Sequence, residues 1–137
     1  MKLPATHAEF HSLSKQALHE LADGLLLCES NVLDYCVKFV LAETKGVWHG
    51  RARAMMSRRL KHFQLGRTHR AELLSSILGR LQSGEFSEQF KDQLRLALHL
   101  DSEQTLKICK LAASSSKPYV RRYAKWALTL PRGENAV

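Results

Sequence analysis

Apolar residues recur at three- and four-residue steps along most of this chain, and short polar breaks cut the runs apart. Phe10, Leu13, Ala17, Leu18, Leu21 and Leu25 share one helical face. No run alternates as a half-buried strand would. The first predicted helix runs from about His7 to Leu27. Ser30 or Asn31 caps a second, from Val32 to about Glu43, which is apolar nearly all round and so expected at the centre. Thr44-Lys45-Gly46 ends it. A third spans about Val47 to Phe63; Gly66 breaks it, and Thr68 caps a fourth through about Gln82. Ser87 caps a fifth to about Leu100. Asp101 with Gln104 forms a capping-box variant that opens a sixth to about Ala113. Pro118 stands at the first position of a last helix to about Leu130, where its missing N–H costs nothing. The total is six or seven helices, depending on whether the third and fourth are separate.

Loops this short make sequential helices antiparallel neighbours. The expected fold is therefore all-α: one domain over residues 1–137, stacked as antiparallel helical hairpins, with flexible ends at about 1–5 and 131–137. At 137 residues, 45% of them apolar, the chain can bury a core without staples. Cys28, Cys36 and Cys109 are an odd number in apolar helical stretches, the usage of buried reduced thiols in an intracellular protein. Met1–Thr6 has no apolar signal region, and no apolar run approaches a membrane span. A soluble cytoplasmic or nucleoid-associated protein, with no membrane contact, is expected.

Charge is segregated. The net charge is +8, but residues 51–80 hold eight Lys/Arg against one acid, Glu72, and residues 106–137 hold seven against one. Residues 1–50 and 81–105 are net acidic. Two basic blocks on a small domain are an electrostatic footprint whose commonest partners are polyanions. On a helical wheel Trp48, Ala52, Met55, Met56, Leu60 and Phe63 share one arc, with Arg51, Arg58, Lys61 and His62 opposite and Arg53 at the flank. That face has no acid for i,i+4 pairing, and arginine, the residue suited to bidentate phosphate contact, dominates it. Arg59 falls inside the apolar arc, where a partner such as Glu43, Glu29 or Asp34 is expected.

The segment Asp101–Leu130 is two helices around a polar turn, and its second half reads Pro118-Tyr119-Val120-Arg121-Arg122-Tyr123-Ala124-Lys125-Trp126-Ala127-Leu128. It resembles the second helix of a HEAT repeat, with Pro before Val-Arg, a small residue four on from the Val, then Ala-Leu. Ser114-Ser115-Ser116 stands where that family carries Asp in the turn, Trp126 is bulkier than usual, and no second unit recurs upstream. The resemblance implies a right-handed stack of helical hairpins that binds partners, and no chemistry. Within this helix Val120, Ala124 and Ala127 face inward, Arg121, Arg122 and Lys125 outward, with Tyr119 and Trp126 flanking. Basic residues beside an exposed aromatic suit a nucleic-acid backbone with a base stacked nearby. Tyr123 is expected to pack on a neighbouring helix.

No catalytic motif stands out. His7 and His11 are spaced i,i+4 but lack a third metal ligand, and no glycine-rich phosphate loop exists. His49, His62 and His69 lie in the basic block and would add charge on acidification. Neither an enzyme nor a cofactor is expected. The reading is a nucleic-acid (polyanion) binder that contacts mainly phosphates through Arg51, Arg53, Arg58, Lys61, Arg67, Arg70, Arg121, Arg122 and Lys125, with Trp126 beside them. The alternative is a HEAT-like interaction module docking an acidic protein. Whether the two basic blocks converge decides how strong either surface is.

Overall fold

The computed structural model describes residues 10, 12–27, 30–86 and 89–130. Among these the chain is all-α, with seven helices and no strand: α1 Lys15–Leu26, α2 Ser30–Ala42, α3 Val47–Leu60, α4 Arg67–Ser83, α5 Lys91–Leu100, α6 Ser102–Ala112 and α7 Pro118–Thr129. Sequence neighbours pack as hairpins except α3 and α4, and packing also skips one helix at a time. α1 lies on α3, α3 on α5 and α5 on α7, while α2 lies on α4 and α4 on α6. The odd-numbered helices thus form one layer and the even-numbered helices a second. Phe39, Ile77, Phe90, Leu94 and Leu96 are fully buried in the core. Among the described residues α4 and α5 each pack on four other helices, so the centre of the stack falls there rather than at the apolar α2, which packs on three, α1, α3 and α4.

Several boundaries follow their capping chemistry. The Asp101 carboxylate accepts the Gln104 amide at 3.0 Å, and Pro118 opens α7. Gly84 ends α4 in the left-handed region (φ 79) and donates its amide to Arg80 O at 2.8 Å. Four expectations are corrected. The long first helix is interrupted: the Leu13 amide closes a turn on Phe10 O, and the Ser14 hydroxyl then caps α1 by accepting the Ala17 amide at 3.1 Å. Ser30 and Asn31 lie inside α2 rather than before it. Gly66, not Thr68, is the cap residue of α4. The fifth helix begins at Lys91, and its expected cap, Ser87, lies outside the described residues, as do His7, His11 and Cys28. Cys36 and Cys109 are free, buried thiols, and burial pushes them up to about 12 and about 11. No helix among the described residues is long and apolar enough to cross a membrane.

The last carbonyls of a helix have no intrahelical partner, and here cations from other helices meet them repeatedly. Arg80 donates to Val40 O at 2.9 Å and Leu41 O at 2.8 Å, closing α2. Arg53 donates to Thr44 O just beyond it at 2.9 Å. Arg59 reaches Ala22 O in the last turn of α1, and its ion-pair partner is Asp23 at 3.6 Å rather than Glu43, Glu29 or Asp34. Arg70 takes Leu100 O at the end of α5, and Lys117 takes Ser83 O at the end of α4. A cation at a helix C-terminus also opposes the helix dipole.

Candidate polyanion interface

Both tryptophans of the chain stand among cations, and both belong to the odd-numbered layer. Trp48, at the start of α3, is 44% exposed. The Lys15 ammonium lies 3.9 Å from its ring centroid and the Arg51 guanidinium 5.1 Å. These side chains border an apolar cleft of about 210 Å³ between α1 and α3. Trp126, half-buried on α7, has Lys91 at 5.0 Å and Arg95 at 5.1 Å, one helical turn apart on α5. Lys91, Arg122, Tyr123 and Trp126 line a shallow pocket of about 300 Å³.

The two centres are joined. Arg51 and Arg58 are seven residues apart on α3, hence on nearly the same line and about 10 Å apart along the axis. The Arg58 guanidinium meets the Asp92 carboxylate of α5 at 3.0 Å, and Asp92 also lies 3.8 Å from Arg95. The order Trp48, Arg51, Arg58, Asp92, Arg95, Trp126 therefore runs across α3, α5 and α7. Lys15 flanks one end; Arg122 and Lys125, both exposed, flank the other. Among the described residues, Asp92 is a carboxylate paired to two cations along this line.

Not all the predicted residues belong to it. Arg53 is 2% exposed, with its guanidinium 5.8 Å from the Phe39 ring centroid, so it reaches no polyanion on this surface. The wheel put it at the edge of the apolar arc, but α3 is covered by α1, α2 and α5, and that flank is interior. Arg121 is half-buried and donates to Ser115 O at 2.7 Å. Arg67 and Arg70 are exposed but sit on α4, in the other layer. Lys61 follows α3 and is half-buried. His49 is buried: its Nε2 donates to Leu13 O, which leaves Nδ1 to accept from the Thr44 hydroxyl. His69 pairs with Asp34 at 2.9 Å. Tyr123 packs edge-on to Phe86 and Phe90, as expected of it.

Lys15, Trp48, Lys91 and Arg95 are the residues that charge counting passed over. Lys91 and Arg95 lie in a stretch whose net charge is negative, which masked them. Their i,i+4 spacing beside the periodic apolar residues of α5 was the available signal. Comparison with known protein families, curated proteins and solved structures finds no match to this chain.

Proposed function

We propose that the chain binds nucleic acid through the odd-numbered layer, with Arg51, Arg58, Lys91, Arg95, Arg122 and Lys125 on phosphates and Trp48 and Trp126 against bases. The observation that carries this reading is the continuous cationic line with a tryptophan at each end. Exposed aromatics beside cations favour a strand whose bases are free to stack. Six phosphate contacts give a log–log salt slope of about −4 on single strands and about −5 on duplex. The test is fluorescence anisotropy with labelled single-stranded DNA, RNA and duplex DNA over a salt series. The double variant Arg58→Glu/Arg122→Glu, both positions exposed, is expected to stay folded and to lose at least about tenfold in affinity. A folded double variant that binds as the parent does refutes the reading.

The layered alternation of helices supports a second reading, a helical-repeat module of the kind the α6–α7 hairpin resembles. It would dock an acidic protein on the same cations. Absence of nucleic-acid binding at low salt, with the chain folded, favours that reading over the first.

A further inference from the structure

The cleft between α1 and α3 has two walls built at matching positions. The helices run side by side in one direction: Lys15 meets Trp48 near their starts, and Arg59, near the end of α3, reaches Ala22 O and Asp23 towards the end of α1. Lys15, His19 and Ala22 recur on α1 at the i, i+4, i+7 spacing, and Trp48, Ala52 and Met55 repeat it on α3. Ala22 and Ala52 are too small to fill the space between the walls. What remains is a cleft of about 210 Å³, bordered by five apolar residues and three basic ones, with no acid. A mostly apolar lining with a few convergent polar groups is the make-up of small-molecule sites. Drug-sized ligands occupy about 300–1,000 Å³, so this cleft takes a single ring or a short chain.

The two permanent cations on its rim lack a counter-charge. Lys15 and Arg51 are exposed, so both reach a ligand. They converge on the Trp48 ring, 3.9 Å and 5.1 Å from its centroid, which places the charges within about 9 Å of each other. No carboxylate among the described residues pairs with either. The other arginines of α3 are engaged, Arg53 and Arg59 by carbonyls and Arg58 by Asp92. An anion seated between Lys15 and Arg51 offsets their repulsion, and an apolar group attached to it covers the lining.

We propose that this cleft binds a small apolar carboxylate, its body against Leu18, Ala52 and Met55 and its head between Lys15 and Arg51. The site shares Trp48 and Arg51 with the cationic line but does not depend on nucleic-acid binding.

Calorimetric titration of the full chain at low salt, with no nucleic acid present, tests it. The probes are phenylbutyrate, the neutral phenylbutanol, and acetate. Phenylbutyrate should saturate one-to-one with Kd of about 1 mM or tighter. Phenylbutanol, which lacks the charge, should bind at least about fivefold more weakly, and acetate, which lacks the body, should not saturate. Lys15→Gln/Arg51→Gln, both at exposed positions, should erase the preference for the acid over the alcohol. Ala52→Met, which fills the cleft, should weaken both. In Trp126→Phe, where Trp48 is the one tryptophan left, phenylbutyrate should change the tryptophan emission. The proposal is overturned if phenylbutyrate does not saturate at tens of millimolar, if acid and alcohol bind the parent equally, or if the folded Lys15→Gln/Arg51→Gln variant keeps the preference.

Discussion

Replacing each buried arginine by methionine should have opposite consequences for stability. Methionine keeps much of the apolar stem of either side chain, so the comparison isolates the guanidinium. Removing Arg80 strands Gln93, which is fully buried, the carbonyls of Val40 and Leu41, and the Glu43 carboxylate. Each orphaned group costs about 1–3 kcal/mol, the terms are not additive, and breaking a buried pair from one side costs about 3–5 kcal/mol in total. Removing Arg53 gives up one hydrogen bond, to Thr44 O, and relieves the desolvation of a cation that has no counter-charge. Those two changes nearly cancel, so Arg53→Met should lie within about 1 kcal/mol of the parent or above it. Urea unfolding followed by far-UV circular dichroism reads both. With a slope of about 2 kcal/mol per molar, Arg80→Met lowers the midpoint by about 2 M, and Arg53→Met moves it by less than about 0.5 M. Native domains hold only about 5–15 kcal/mol, so Arg80→Met should be marginal at room temperature. Equal losses in the two variants would refute the distinction between a satisfied and an unsatisfied arginine. So would an Arg80→Met midpoint within about 0.5 M of the parent.

Asp92→Asn removes the carboxylate that holds Arg58 and Arg95, so nucleic-acid affinity at low salt should rise and the salt slope should steepen by about one unit in anisotropy titrations; a fall in affinity would mean that Asp92 positions those arginines for binding. Gly24→Ala places a Cβ 2.8 Å from Val32 Cγ1 at the α1–α2 contact and should destabilise by about 1–3 kcal/mol, whereas exposed Gly79→Ala, with nothing within 4 Å, should stabilise by about 0.5–1 kcal/mol; thermal melts of the pair check both signs. Cys36 and Cys109, pushed up to about 12 and about 11, should resist iodoacetamide at pH 8 in the folded chain and react once urea unfolds it, as mass spectrometry of the alkylated peptides will read. Because the folded thiols hold their protons above the unfolded value near 9, their contribution to stability is constant below about pH 9 and is lost between there and about pH 11–12.

The helical class and three of the seven starts, Val47, Ser102 and Pro118, could be read from the chain because they rest on local signals: the break at Gly46, the Asp101 cap and Pro118. The first helix misled because Phe10 and Leu13 continue the period of α1 although the Ser14 hydroxyl restarts the chain between them. Periodicity cannot see a turn that preserves phase. Layering was harder to foresee. Each basic block divides between the two layers, Arg51 and Arg58 from Arg67 and Arg70, and Arg122 and Lys125 from Lys107 and Lys110. The candidate interface is assembled from parts of both blocks plus Lys91 and Arg95 of an acidic segment, so no window along the sequence contains it.

Scarcity of acids in residues 51–80 invites the inference that its arginines are free, and the packing shows why that inference fails for four of the seven. Carboxylates are not their only acceptors. Seven short helices expose many terminal carbonyls, and Arg53, Arg59, Arg70 and Arg80 each meet one or two near the end of another helix. A carbonyl contributes no formal charge, so such an arginine keeps its positive charge while losing its mobility. Exposure then decides its use. Arg58, with 54% of its side chain in solvent and a single carboxylate partner, remains available to phosphate, whereas Arg80 is committed to the fold. Arg53 belongs to neither group: it is too buried for a polymer and too poorly satisfied for a structural cap.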